Sequence, residues 1–378
     1  MTNRAHYEVA IAGGGIVGAA CALACARRGL RVALIERNWF GGGATSAGMG
    51  HVVVLDDSEA QFALTRYSQQ LWHDFALRLP PSAEYEERGT LWIAADASEM
   101  DFAERMHAWF TARSVPCQLM NAAEIAKAEP NLARNLTGGL LVPQDAIVIP
   151  SVAALAMAEQ AQELGAVWML GKSVREFGYQ SLLLNDGGEL RADRIVNALG
   201  VDSIELSPDI PIRKRKGHLA ITDRYPGFIQ HQLVELGYMK SADITTADSV
   251  AFNVQPRRSG QLLVGSSRQF GSEDTVIDQH ILSAMLARAS LYLPGLSKLD
   301  TLRAWTGFRA ATPDKLPLIG PDPTNTSLLL ATGHEGLGIT ASLATAELIA
   351  DYVCKQKSVI PAEPYLPARF LNNTPYKT

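Results

Sequence analysis

The chain has 378 residues, 47% of them hydrophobic and 19% charged, with a formal net charge of −5. That length exceeds what one ordinary core serves, so about two domains are expected, and the composition is that of a folded globular protein. The acidic balance argues against general nucleic-acid binding, which needs a basic face. The most apolar region, residues 138–158, is broken by Pro143, Gln144, Asp145 and Pro150, so no membrane span is expected. No cleavable apolar core precedes the first strand, and a cytoplasmic location is expected. Of the four cysteines, Cys21 and Cys25 share one helix face without further ligands nearby. They read as small core residues, with no metal site, disulfide or iron–sulfur cluster expected in this chain.

In chain order, residues 8–12 form a short apolar strand and 16–28 an alanine-rich helix stopped by Gly29. Residues 31–35 form a second strand ending at Glu36, which completes a βαβ opening. A small-residue loop, GGGATSAGMG, occupies 41–50, and a helix with apolar spacing follows over 59–77. Beyond Pro80 the character changes, with a strand over 89–95 and helices over 98–114 and 122–128. Pro150 opens a helix that Gly165 closes. Strand-like runs follow at 167–170, 174–177, 181–184 and 193–198. Between 213 and 302 strands fit 218–222, 250–254 and 261–265, and a helix fits 277–293. From 305 onward the opening style returns, with a strand at 327–331 and a helix over 336–353. The only dense basic run is Arg213-Lys214-Arg215-Lys216, expected as solvated side chains on a strand, with steering of an acidic partner as the alternative.

Gly13, Gly15 and Gly18 form G-x-G-x-x-G between a strand and a helix. The first permits the tight turn, the second lets a pyrophosphate approach the backbone, and the third lets helix and strand pack closely. The helix N-terminus at Ile16 and Val17 then offers free N–H groups to phosphate. Glu36, followed by Arg37, stands where an acid meets ribose hydroxyls, which disfavours a 2′-phosphate and hence NADP. This motif alone does not separate NAD from FAD. A second strand–glycine turn–helix follows Leu328–Ala331, in Gly333-His334-Glu335-Gly336-Leu337-Gly338-Ile339-Thr340. Its helix N-terminus suits the negative charge that develops over the pyrimidine edge of a reduced flavin. A flavin dinucleotide uses both turns, so FAD is the expected cofactor.

These two turns, the GGGATSAG loop, Trp305-Thr306-Gly307-Phe308-Arg309, and Thr312-Pro313-Asp314 through Gly320 together resemble the D-amino-acid oxidase superfamily of flavoproteins. Within it, GHEGLGIT and FNVQPRRSGQLLVGSSRQFG (252–271) look most like the FAD subunits of hydroxyproline, proline and opine dehydrogenases and of hydrogen cyanide synthase. The resemblance implies an α/β fold. A Rossmann-like FAD-binding domain of the glutathione-reductase type is assembled from residues 1–80, 145–210 and 305–378. An α+β substrate domain with an antiparallel sheet comes from 81–144 and 211–304. It further implies that Ala44, Thr45, Ser46, Met49, Gly50 and His51 line the flavin and that Val174 meets the adenine part through its backbone. No cysteine precedes Thr312, where some relatives attach flavin, so FAD is expected to be noncovalent.

Arg309 occupies the family's carboxylate-binding position, and a guanidinium fork suits a carboxylate. The implied reaction is hydride loss from the substrate Cα to flavin N5, with a small amino or imino acid as substrate and D-hydroxyproline preferred. Glycine, sarcosine, opine or D-amino-acid oxidation is the alternative. A second alternative is an FAD-binding electron-relay subunit of a larger complex, and a third is an NAD-linked dehydrogenase. His51, His218 and His334 are the histidines able to take a proton near neutral pH. Tyr238, Phe252, Asn253 and His218 are candidate pocket walls. Arg268 stands where sarcosine oxidases carry an oxygen-activating lysine above the flavin, so a dehydrogenase with another electron acceptor, or an iron–sulfur partner subunit, is favoured over oxygen.

Overall fold

The computed structural model describes residues 6–55, 57–237 and 248–371. Its first sheet places its strands in the order Leu318–Pro321, Leu328–Thr332, Glu189–Asn197, His6–Ala12, Val32–Glu36 and Val167–Leu170, with Ser181–Leu184 and Val174–Phe177 attached beside Glu189–Asn197. The five strands from Leu328–Thr332 to Val167–Leu170 run parallel. Val32–Glu36 and Leu328–Thr332 read as near-continuous apolar runs because both of their faces are covered, whereas Glu189–Asn197 is buried throughout only in its last three residues. Val9, Ile11, Leu34 and Leu329 face the helices Ile16–Arg27, Pro150–Glu163 and Gly338–Cys354. Ala10, Ala33, Ile35 and Leu330 face the opposite layer with Leu182 and Leu184.

The helical span Glu335–Cys354, made of a 3-10 turn and the helix Gly338–Cys354, is the one among the described residues long and apolar enough to cross a membrane, a feature with no counterpart in the sequence expectations. Packing accounts for its apolarity: Ala344, Leu348, Ile349 and Ala350 are buried against Ile16–Arg27 and Glu59–Ala76.

The second sheet runs Thr301–Ala311, Arg213–Arg224, Gln261–Phe270, Ser249–Pro256, Gln232–Glu235, Thr90–Ala94, Gly138–Val142 and Gln118–Asn121. It is antiparallel apart from the pairing of Gln232–Glu235 with Thr90–Ala94. The helix Gln279–Tyr292 buries Met285 and Ala289 against one face, with Ala220, Val254 and Val264 beneath it. The other face carries Leu219 and Leu263, which meet Met49 of the loop that follows the first domain's glycine turn.

Two readings are corrected here. Thr301–Ala311 pairs along its length with Arg213–Arg224, so residues 305–311 belong to the second sheet and not to the first domain. Only a pairing some ninety residues distant reveals this, and nothing local marks it. The basic run is also not a solvated face. Arg213 is exposed, but Arg215 and Lys216 are buried on opposite faces of the strand, Lys216 against Asp274 at 2.8 Å and Ser272 at 3.1 Å.

Candidate active site

The first glycine turn is set by sterics. Gly13 has φ +103°, and a Cβ there would lie 2.5 Å from Ala198 O. A Cβ on Gly18 would lie 1.9 Å from Gly13 O, so the helix packs on the strand at backbone contact. At Gly15 only Thr45 Oγ1, at 3.2 Å, stands near, and that side of the turn stays open for a phosphate. Thr45 Oγ1 accepts the Ile16 N–H at 3.0 Å and ties the loop to the helix N-terminus, where Val17 is half-buried. Glu36 accepts the N–H groups of Gly14 and Asn38, each at 2.8 Å, so the carboxylate on the ribose side also holds the turn. Arg37 is exposed and pairs with Asp202 at 2.6 Å. Ser46 Oγ donates to Gly43 O at 3.0 Å, and Val174 packs at the edge of the layer over Ala33 and Ile35.

The second turn meets the same loop from the other side. Thr340 Oγ1 donates to His51 O at 2.9 Å and accepts the Val53 N–H at 3.3 Å. Trp72 Nε1 donates to Ile339 O at 3.1 Å. The second turn, more than three hundred residues from the first in sequence, thus bounds one cavity together with the 44–51 loop that Thr45 ties to the first turn. Ala44, Thr45, Met49, Gly50 and His51 line it on one side and Glu335, Gly336, Gly338 and Ile339 on another. The helix Gly338–Cys354 has no side-chain cap, so its first N–H groups are available to a ligand's developing negative charge.

The third wall is the second sheet. Arg215 lies opposite Arg309 and Gly217 opposite Gly307 in the register of the two paired strands. Gly217, Leu219, Gly307 and Arg309 face the cavity. The Arg309 guanidinium lies over Gly217, where a Cβ would stand 2.5 Å from Nη1. Nη1 donates to Ser267 O at 3.0 Å, which fixes the fork. A Cβ on Gly307 would meet Ala47 Cβ at 2.5 Å, so this glycine admits the 44–51 loop. Arg215 stacks on the Phe270 ring at 4.6 Å and pairs with Glu335 in the second glycine turn. Burial would raise the Glu335 carboxyl, but Arg215, Arg309 and Arg268 outweigh it and hold the group below its ordinary value. Glu335 also has φ +51°, in the region that favours glycine, so its carboxylate is kept at some backbone cost.

Several expected site residues take other roles. His218 faces away from the cavity: Nε2 accepts the Asp278 N–H at 3.0 Å, and Nδ1 pairs with Ser267 Oγ at 3.0 Å. Burial and Lys216 lower its pKa. His334 is buried against Thr345 Oγ1 at 2.9 Å and pushed down to about 4 by burial. His51 does line the cavity, but burial pushes it to about 4 as well, with Gln232 pulling the other way. Burial holds the His51 and His334 rings neutral near neutrality, and for His218 burial, Lys216 and Arg309 outweigh the pull of Asp278 and Asp248. Arg268 is buried and lies outside the cavity lining; its charge acts on Glu335. Phe252 is buried and stacks on Tyr292 at 4.6 Å, in the cluster beneath the helix. Asn253 lines the cavity, and Tyr238 lies outside the described residues. The sequence reading missed Gly217, Ser266 and the Arg215–Glu335 pair. Only the pairing of distant strands brings them to the site.

The residues present fit a dinucleotide. Beside Gly15 only Thr45 Oγ1 approaches the backbone, a helix N-terminus stands at each turn, and the cavity runs from Thr45 to the second turn. A family model described as "FAD dependent oxidoreductase" (DAO) matches residues 8–352. Glycine oxidase of Geobacillus kaustophilus is 27% identical over 97% of this chain and 97% of its own length. Hydrogen cyanide synthase subunit HcnC of Pseudomonas aeruginosa is 26% identical over 96% of each chain. The crystal structure of the Geobacillus glycine oxidase superposes with a TM-score of 0.86 at 25% identity, covering 96% of this chain and 99% of that one. The fold is likewise that of L-proline dehydrogenase from P. horikoshii, with a TM-score of 0.86 at 24% identity over 98% and 99% of the two chains. Matched from its first strand to its last long helix, the chain belongs to the DAO family of FAD-dependent oxidoreductases.

Proposed function

We propose that the protein oxidises the Cα–N bond of a small amino or imino acid, with D-hydroxyproline or a similar proline-like acid as the preferred substrate. The observation that carries this reading is the Arg309 fork, fixed by Ser267 O and lying over Gly217 on the cavity wall. A guanidinium so held pairs a substrate carboxylate through two parallel charge-assisted bonds and removes most of the orientational freedom of the Cα–H. Bound noncovalently along the cradle from Gly13 to Gly18, with the Ala44–Gly50 loop and Gly336–Thr340 about its ring, FAD supplies the two-electron acceptor. His51 is held neutral by burial and His218 and His334 lie outside the cavity lining, so in this reading the substrate amine sheds its proton to solvent before oxidation. The names of the relatives support the substrate class, since one oxidises glycine and another dehydrogenates L-proline.

We retain an acceptor other than oxygen in this reading, on the sequence position of Arg268 alone, since its side chain lies outside the cavity lining. A partner subunit is part of this proposal, supported by the subunit status of HcnC. We further assign residues 1–80, 145–210 and the chain after Ala311 to the FAD-binding body, and place the protein in the cytoplasm. The test is anaerobic titration of the flavin's visible absorption with D- and L-prolines, hydroxyprolines, N-methyl glycines and glycine. Bleaching by a hydroxyproline or proline at the lowest concentration supports the reading. Bleaching by glycine or sarcosine alone moves the substrate to the alternative, and no bleaching by any member ends the amino-acid reading.

A further inference from the structure

A chain of hydrogen bonds behind the cavity wall fixes which atom Asn253 presents. Gln232 Nε2 donates to the backbone oxygen of Ala146 at 3.1 Å and to Thr90 Oγ1 at 3.4 Å. A carbonyl only accepts, so the Gln232 amide has one orientation and its Oε1 faces His51 Nδ1. Oε1 has no hydrogen to give and is much nearer to Nδ1 than is Gln255 Nε2, which at 3.3 Å can donate to Oε1 instead, so the ring proton is assigned to Nδ1. In the neutral ring Nε2 then holds a lone pair, and it accepts from Asn253 Nδ2 at 3.2 Å. The Asn253 amide is oriented in turn, and its remaining polar atom is Oδ1. Asn253 is only 8% exposed and lines the cavity, and Oδ1 has no hydrogen-bond partner among the described residues. Beside it Ser266, 4% exposed, lines the same cavity with its Oγ equally unpartnered. Buried acceptors left open in this way are costly, and a ligand donor relieves that cost.

Position selects the donor. Asn253 pairs with Gly265, whose strand neighbours the strand of Gly217, over which the Arg309 guanidinium lies. Two strand spacings and an offset of about two residues along the strand, roughly 12 Å between backbones, separate Asn253 from Gly217, and the Asn253 side chain and the guanidinium both reach into that gap. A carboxylate and its α-nitrogen, with a hydrogen bond at either end, fill such a span. We propose that Asn253 Oδ1 recognises an N–H on the substrate's α-nitrogen and selects ligands that carry one. This rests on the amino-acid reading above.

The test uses the FAD-loaded enzyme and two rings of one shape, pyrrole-2-carboxylate with a ring N–H and 2-furoate with a ring oxygen. Binding is read from perturbation of the flavin absorption spectrum, without turnover. The wild type should bind the pyrrole at least about tenfold more tightly, the value of one hydrogen bond to a buried acceptor. Asn253→Ala should bring the two affinities within about twofold by weakening the pyrrole alone, with the flavin spectrum of the unliganded protein unchanged. Asn253→Asp keeps an acceptor and should keep the preference, although both ligands bind more weakly because of the added charge and the lost donor to His51 Nε2. A preference that persists in Asn253→Ala, or is missing in the wild type, overturns the assignment of Oδ1 while leaving the carboxylate site standing. If neither ring perturbs the spectrum, the amino-acid reading itself fails, and the assignment with it.

Discussion

The cradle at Gly13–Gly18 and the sheet wall of the cavity are built by opposite means. The cradle is backbone from one strand, one turn and one helix, closed locally by Gly18 against Gly13, with Gly13 also confined by a remote residue, Ala198. The wall takes Gly217, Asn253, Ser266 and Arg309 from four strands that meet only in the finished sheet. In the first region residue type follows from local geometry. In the second it follows from which strands become neighbours. A substitution in the cradle is therefore expected to remove the cofactor, whereas one in the wall should leave the cofactor bound and change what is done with it.

The largest effect is expected at Gly18. A Cβ there collides with Gly13 O, and the obstacle is backbone that cannot give, so Gly18→Val should purify without bound flavin. A yellow Gly18→Val protein with the wild-type flavin ratio would erase the contrast. Next comes Arg309→Lys, which keeps the charge but loses the fork. The holoenzyme should retain its flavin while kcat/KM falls by roughly 10²–10³, about 3–4 kcal/mol of lost transition-state orientation. Steady-state kinetics with a dye acceptor measures it, and an unchanged kcat/KM would mean that the fork is not used.

How far each region is legible in the sequence follows from the same contrast. The G-x-G-x-x-G turn and Glu36 announce themselves because sterics fix both the spacing and the residue types. The second turn was legible for the same reason. Arg309 was found only through resemblance, since an arginine on a strand carries no signal of what it faces. Gly217 and Gly307 are silent, because the clash each avoids involves a residue remote in sequence, Arg309 for one and Ala47 for the other. The Arg213–Lys216 run misled because charge patterning assumes a solvated strand, while this one lies inside a sheet and finds its partners in Glu335 and Asp274. The histidines misled because a ring's pKa depends on burial, which residue type does not reveal.

The Arg215–Glu335 pair joins the two regions, and breaking it sharpens the comparison. Glu335→Gln leaves Arg215 buried without its carboxylate and should cost on the order of 3 kcal/mol, read as a lower Tm of the apoprotein. Stability within about 0.5 kcal/mol of wild type would show the pair to be idle. A smaller effect is expected from Asp145, buried beneath the His51 strand with Val54 N–H and Gln69 on one oxygen. Burial raises its pKa from the ordinary 3.8 to about 7, against the pull of Thr90, Val54, Gln69 and Arg66. The folded state therefore binds the proton more tightly than the unfolded state. The stability this contributes is fully present below about pH 4 and lost as pH rises through about 7. Asp145→Asn should gain Tm relative to wild type over that range and hold the gain above it. A difference independent of pH would contradict the raised carboxyl.

The account turns on one arrangement, a flavin gripped by two distant glycine turns with Arg309 presenting an amino acid to it. Anaerobic mixing of wild type and Arg309→Ala, both loaded with FAD, with the best substrate of the titrated panel tests it most directly. Rapid bleaching of the wild type and a bound yellow flavin that bleaches at least about 10³ times more slowly in the variant are expected, the loss that follows removal of a buried charge partner. Equal bleaching rates in the two proteins, or a wild-type protein that takes up no flavin, would contradict it.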